Sequence, residues 1–262
     1  MADLSGTRAV ITGATSGLGR AMATALVEAG ALVAVTSRDR SRAEAVAAEL
    51  GGGAVGIELD VRDAGSVQSG VDEAYEQLGA VDLLVNNAGI GMRTVNPRFL
   101  THAQPFWEVS PRGFRDVIET KIAGSFLVAR AVSPRMLAAR GGRIVMISMN
   151  QETMVRAGFV PYGPAGAGVE AMARVMVADL AGTSVTVNIL LPGGATETGM
   201  VPDDVPDELR AKLLDPAIMG PPIVWLASPE ADSVHGERIV ATDFDDWLAR
   251  RLGAHRTVGR HW

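Results

Sequence analysis

Short apolar runs alternate with segments of helical period along most of this chain, and that alternation narrows its possible folds more than any other feature. Strands are expected near 8–12, 32–36, 55–59, 82–86, 143–148, 185–190 and 237–241, and helices near 18–29, 41–50, 64–78, 110–140, 162–180 and 217–227. Strands joined through helices close as right-handed crossovers, so the expected product is a parallel sheet covered on both faces, a three-layer α/β architecture. With 262 residues and 47% hydrophobic content, the chain suits one such domain, 1–262, and can fill its core. Two stretches resist regular assignment: 90–110, where Pro97 and Pro105 interrupt Phe99, Phe106 and Trp107, and 192–222, dense in Pro and Gly. Both follow strand ends, where ligands of open parallel sheets bind, so both are candidate substrate walls. Phe99, Phe106, Trp107, Met149, Met154, Phe159 and Met200 are the apolar side chains expected to line that pocket or to fill core.

Between the first apolar run, Ala9-Val10-Ile11, and the first helix lies Thr12-Gly13-Ala14-Thr15-Ser16-Gly17-Leu18-Gly19. A buried strand that stops and feeds a helix leaves unpaired backbone N–H groups pointing outward, where a phosphate can bind. Gly13, Gly17 and Gly19 permit the sharp turn, the close approach of a pyrophosphate and tight packing of helix on strand.

Composition excludes several kinds of function. A net charge of −6 and a pI near 5.3 argue against nucleic acid as a partner. No run approaches the roughly 18 apolar residues of a membrane helix, and Met1 to Gly6 has neither a basic start nor an apolar stretch, so the expectation is a soluble, cytoplasmic protein. The absence of cysteine removes disulfides and thiolate chemistry, and His102, His235, His255 and His261 show no ligand spacing, so no metal site is expected. Lys121 and Lys212 are the only lysines in a chain that otherwise uses arginine.

After the second strand comes Thr36-Ser37-Arg38. An acidic residue here would hold a free ribose 2′-hydroxyl, whereas arginine favours a 2′-phosphate, so Ser37 and Arg38 point to NADP(H); the other reading of Arg38 is a solvated loop charge beside Arg40 and Arg42. Asp60, in Leu59-Asp60-Val61, is placed either to accept from an adenine amino group or to cap the helix that follows.

The fourth strand ends in Asn86-Asn87-Ala88-Gly89, and with this the chain resembles the short-chain dehydrogenase/reductase family. The resemblance rests on four landmarks in the family's order: Thr-Gly-x-x-x-Gly-x-Gly at 12–19, Asn-Asn-Ala-Gly at 86–89, an active-site Tyr162, and Pro192-Gly193 after the sixth strand. It implies a seven-stranded Rossmann-like sheet, a nicotinamide dinucleotide, a small-molecule substrate, and a homodimer or homotetramer formed through the helices near 110–140 and 162–180. Cofactor contacts are then expected from Gly13, Thr15, Ser16, Gly17, Leu18, Gly19, Ser37, Arg38, Asp60, Val61, Asn87, Ala88, Gly89, Tyr162, Pro192, Gly193, Thr196 and Thr198.

The family's chemistry uses a tyrosine as proton donor or acceptor, a lysine four residues later, a serine thirteen residues before, and an asparagine on the preceding long helix. Tyr162 is present, but the lysine position is Gly166, the serine position is Met149, and the asparagine position is Lys121. An ammonium about 4 Å from a phenolate is worth roughly 4 kcal/mol at an effective dielectric of 20, or about 3 pKa units, so where the cation sits matters. Lys121 is read either as a relocated ammonium reaching into volume left open by Gly166, lowering the tyrosine pKa, or as a solvated helix residue. Ser148 replaces the missing serine only if a bulge turns it, since a one-residue slip faces the other way; Asn150 is the alternative donor, and Met149 reads as an apolar wall. The leading expectation is NADP(H)-dependent reduction of a carbonyl or related C=X bond with Tyr162 as proton donor and Lys121, Ser148 and Asn150 as the other candidate catalytic residues. The alternatives are a nonredox isomerase, lyase or cyclase on the same fold, and a noncatalytic cofactor-binding protein.

Overall fold

The computed structural model describes residues 2–202 and 205–258; Asp203 and Asp204 of the second candidate wall, and His261, lie outside them. Seven strands, β1 (Arg8–Ile11), β2 (Leu32–Ser37), β3 (Val55–Glu58), β4 (Leu83–Asn86), β5 (Gly142–Ile147), β6 (Val185–Leu191) and β7 (Arg238–Val240), form one parallel sheet in the order β3-β2-β1-β4-β5-β6-β7. This is the expected three-layer Rossmann-like α/β fold. Chain order reverses between β1 and β4, which opens the ligand-binding crevice beyond Ile11 and Asn86.

Alternate strand residues enter two cores. Ile11, Val33, Val35 and Val85 face the helices α1 (Gly17–Glu28) and α9 (Gly220–Ala227), whereas Val10, Ala34, Leu84 and Met146 face α3 (Ala64–Leu78), α5 (Gly124–Ala138) and α7 (Tyr162–Asp179). Helix starts follow local chemistry. The Asp39 carboxylate caps α2 (Arg40–Leu50), accepting from the Arg42 N–H at 3.2 Å, and Asp63 caps α3, accepting from the Ser66 N–H at 2.6 Å. Capping of α3 therefore belongs to Asp63 and not to Asp60, which instead accepts the Arg62 N–H at 3.0 Å.

Three expectations need correction. The helix near 110–140 is interrupted: α4 (Pro111–Ile118) passes through one π turn, Glu119–Ala123, before α5, so an extra residue is inserted where Lys121 lies. The stretch 192–222 holds an unexpected short helix, α8 (Asp207–Arg210), while the helix expected near 217–227 is present as α9, led in from Pro216 by a 3₁₀ turn; prolines at the first positions of a helix leave no hydrogen bond unmade. Beyond the last expected element the chain adds α10 (Phe244–Val258), anchored where Phe244 and Trp247 meet Trp225 with ring centroids 6.1 and 5.4 Å away. No described helix is long and apolar enough to cross a membrane.

Candidate active site

The crevice is built first from Thr12. Its buried hydroxyl oxygen accepts the backbone N–H groups of Asn87 and Ala88, each at 2.9 Å, and donates to the Val85 carbonyl at 3.3 Å, tying the end of β1 to the end of β4. The Asn87 amide donates to the carbonyls of Thr12 at 2.9 Å and Gly13 at 3.2 Å, so this side chain holds the glycine turn. Thr12 was quoted in the motif without a role; a buried hydroxyl between two strand ends is the signal that identifies one. Gly13 and Gly17 adopt φ of +66° and +54°, and a Cβ on Gly19 would lie 2.5 Å from both the Gly13 carbonyl oxygen and the Asn87 amide nitrogen. Ser16 stands at the N-cap of α1 without a side-chain hydrogen bond to it, so the helix's first N–H groups remain open to an anion.

At the tip of β2, Arg38 is exposed and forms no ion pair within 4 Å with the described residues, while its neighbour Arg40 is held by Glu73 at 2.7 Å. Asp60 lies close enough to feel Arg38. Burial raises its pKa, but hydrogen bonds and charge from Arg62, with a smaller contribution from Arg38, bring it below the ordinary carboxylate value. Val61 is buried against Gly124, where a Cβ would come within 2.7 Å of it.

At the centre, Tyr162 is the first residue of α7. The Lys121 side chain leaves the π turn and sets Nζ over the Tyr162 ring, 5.5 Å from its centroid and 3.9 Å from where a Cβ on Gly89 would stand. Lys121 is 6% exposed, and among the described residues its ammonium has no hydrogen bond or ion pair. Desolvation pulls its pKa from 10.5 to about 8 and pushes that of Tyr162 above 10. The expected lowering of the tyrosine by the lysine is therefore not what the geometry gives: burial governs both groups.

The expected open volume beside Gly166 does not exist. A Cβ on Gly166 would meet Met149 Cε at 2.6 Å, Sδ at 2.9 Å and Cγ at 3.1 Å, so the thioether fills the space and Lys121 packs over the ring instead. Met149, 7% exposed, is the apolar wall its sequence position suggested.

Ser148 faces away from the reacting side. Its hydroxyl donates to Glu170 Oε1 at 2.7 Å, and Glu170, 4% exposed, binds Arg238 Nε through both carboxylate oxygens at 2.9 and 3.1 Å. Arg238 Nη2 then donates to the Met149 carbonyl at 2.9 Å, which fixes the loop. No bulge turns the serine round, so it does not replace the missing hydroxyl. The Ser148–Glu170–Arg238 network escaped sequence reading because its members are scattered over three elements. Asn150 donates to the Gly193 carbonyl at 2.8 Å, linking this loop to the one after β6.

That second loop already covers the crevice. Thr198 packs on Gly17, Met200 on Gly91, and Arg93 donates to the carbonyls of Val201 at 3.2 Å and Gly199 at 3.4 Å. Thr196 is buried and bridges to Leu214, and Pro192 is buried while its carbonyl accepts the Thr242 N–H. On the opposite rim Phe99 meets Phe159 edge to face at 5.7 Å, but Phe106 and Trp107 are 67% and 72% exposed and meet each other edge to face, so they do not line an apolar pocket. A cavity of about 1010 Å³ opens on the other side of α1, against α9 and Pro216; it reaches the crevice only at Gly17 and Thr198 and includes neither Lys121 nor Tyr162, so side-chain chemistry, not volume, locates the site.

The short chain dehydrogenase family model matches residues 7–209. The chain is 34% identical over 246 residues to 3-oxoacyl-(acyl-carrier-protein) reductase FabG of Vibrio harveyi, covering 90% of this chain and 96% of that protein. It is also 34% identical over 248 residues to D-threitol dehydrogenase of Mycolicibacterium smegmatis, covering 90% and 92%. Among solved structures, 3-ketoacyl-(acyl-carrier-protein) reductase from Brucella melitensis complexed with NADH superposes with a TM-score of 0.79 at 28% identity, over 90% of this chain and 97% of that one. A dehydrogenase/reductase from Sinorhizobium meliloti 1021 gives 0.78 at 32%, over 91% and 95%. Sheet order, nucleotide crevice and these likenesses converge: the chain belongs to the short-chain dehydrogenase/reductase family.

Proposed function

We propose that the protein is an NADP(H)-dependent reductase of a carbonyl or related C=X bond of a small molecule, with Tyr162 as proton donor. The observation that carries this reading is the nucleotide cradle, in which the start of α1 has no side-chain cap and the left-handed backbone of Gly13 and Gly17 turns the chain so that N–H donors face a pyrophosphate. Ser37 and the unpaired Arg38 would take the 2′-phosphate, Asp60 and Val61 the adenine, and Asn87 to Gly89, Pro192, Gly193, Thr196 and Thr198 the nicotinamide end. When bound, the dinucleotide supplies the hydride.

The chain's own residues handle the proton. A Tyr162 hydroxyl held above its usual pKa is a phenol at neutral pH, able to give a proton to a forming alkoxide and poor at removing one, which favours reduction over oxidation. Lys121 is the cation beside Tyr162, over its ring and not at the position now held by Gly166. Asn150 keeps one N–H beyond its bond to Gly193 for a substrate polar group. Exposed Phe114, Phe126 and Val175 on α4, α5 and α7 support a homodimer or homotetramer.

The test is fluorescence titration with NADPH and NADH, followed by hydride turnover on ketones, aldehydes and imines. Tyr162→Phe should lose turnover and keep cofactor affinity. Cofactor binding without turnover on any of these would favour the second reading, a nonredox isomerase, lyase or cyclase, for which the observation is Met149 filling the lysine volume. No binding of either dinucleotide would refute the reductase reading.

A further inference from the structure

A buried charge demands an opposite charge, and the described residues supply none to Lys121. The residue is 6% exposed, and its ammonium lies between the Tyr162 ring and Gly89, both at the crevice. The ring face attracts a cation, but a contact 5.5 Å from the centroid returns about 0.5–2 kcal/mol, less than the several kcal/mol that enclosing an ion costs. With a pKa of about 8 the group is still mostly charged at neutral pH. Nearby carboxylates are otherwise engaged: Asp116 faces Arg62 and Arg112, and Glu170 is held by Arg238 and Ser148.

We propose that the substrate brings the missing charge, so that Lys121 is the anchor for a carboxylate and the protein acts on oxo acids in which the carboxylate stands one or two carbons from the reacting carbonyl. This rests on the carbonyl-reductase reading and narrows its substrate class. A transient alkoxide does not satisfy the requirement, because it exists only during the chemical step and disappears when Tyr162 protonates it. The serine that would have offered a neutral hydrogen bond is Met149, so beyond the one free N–H of Asn150 the polar recognition left beside Tyr162 is cationic. A carbonyl oxygen at the Tyr162 hydroxyl with a carboxylate toward Lys121 uses both groups at once and leaves the Met149 side for the substrate's apolar portion.

The experiment compares 3-oxohexanoate and 2-oxohexanoate with their methyl esters, which differ in charge and little in shape. Dissociation constants are measured by calorimetry on the protein saturated with NADP+, which cannot reduce the ligands, and kcat/KM is measured with NADPH alongside. The acids should bind on the order of tenfold to a hundredfold more tightly than the esters, as a charge-assisted contact requires. Lys121→Met, which keeps the stem and removes the charge, should abolish that preference, and Lys121→Arg should retain part of it. Esters that bind and react as well as the acids would overturn the proposal while leaving the reductase reading intact, and so would a preference that survives Lys121→Met. Should Lys121→Met not fold, the acid-to-ester ratio of the unaltered protein decides alone. Failure of NADPH to bind at all would instead overturn the reductase reading and this proposal with it.

Discussion

Met149 and Gly166 occupy one another's space, and that contact makes a signed prediction about stability. Gly166 sits inside α7, where replacing glycine by alanine ordinarily gains about 1 kcal/mol of helix propensity. Here the new Cβ would fall 2.6, 2.9 and 3.1 Å from three successive atoms of a Met149 side chain that is 7% exposed and whose carbonyl is held by Arg238. Overpacking of this kind costs about 1–3 kcal/mol. Gly166→Ala should therefore be neutral to destabilising by about 2 kcal/mol, the difference of those two magnitudes. Met149→Ala alone should cost about 2–5 kcal/mol for the buried volume lost. In that background the clash is gone, and Gly166→Ala should stabilise by about 1 kcal/mol. The assay is urea unfolding of the four proteins, read as a double-mutant cycle with an expected coupling of about 1–3 kcal/mol. If Gly166→Ala stabilises equally in both backgrounds, with coupling inside about 0.5 kcal/mol, the two residues do not compete for the same space and the argument fails.

Arg38→Ala should weaken NADP(H) by about tenfold or more, as loss of a charge-assisted phosphate contact does, and leave NAD(H) nearly unchanged; equal affinities of the unaltered protein for both would remove Arg38 from the site. Lys121 makes stability depend on pH, because its pKa falls from 10.5 unfolded to about 8 folded, and between those values the unfolded chain holds more protons. Its penalty of about 3 kcal/mol is thus full below pH 8 and is relieved as pH rises, so the stability gained by Lys121→Met at pH 7 should shrink by pH 10; a pH-independent difference would show the ammonium to be solvated. Readings stop at pH 10, since above it the raised pKa of Tyr162 makes the unfolded state lose its proton first and stability falls. Hydrogen exchange in 194–201 should slow when NADP(H) binds, because a dinucleotide beneath the loop would add contacts at Thr196 and Thr198 to those already made on Gly17 and Gly91; unchanged protection would make the loop a fixed wall.

Period and punctuation made the sheet legible. All seven strands and most helices announce themselves through apolar runs, glycines and caps, since these are local properties of a buried parallel strand and its crossover helix. The π turn at Glu119–Ala123 was not legible, because inserting one residue into a helix leaves the apolar period on either side almost intact. Nor was α10, whose Asp245, Asp246, Arg250 and Arg251 conceal an anchor consisting of Phe244 and Trp247. At the site, residue types could show that three of the family's four catalytic positions had changed, yet not where each side chain went. Ser148 shows why: strand alternation places it on the face away from the site, and only the buried partner Glu170 shows that nothing in the loop reversed this.

Two of the three departures touch, Gly166 against Met149, and the third, Lys121, lies over the ring of Tyr162 one turn before Gly166 on α7, which argues against treating them as separate losses. Glycine at 166 is what admits the Met149 thioether, and the thioether closes the space through which a lysine from α7 would approach Tyr162. The cation that remains comes from the π turn and covers the ring face of the same tyrosine. Behind Met149, the Glu170–Arg238 pair grips its carbonyl, so the plug is fastened from the side of the sheet opposite the nucleotide turn's core. A lysine restored at 166 would consequently have to displace Met149 before it could act, and it would arrive beside an ammonium already without a counter-ion. The order of restoration therefore matters: Met149 must change before Gly166, and Lys121 before either can behave as it does in the family's usual arrangement.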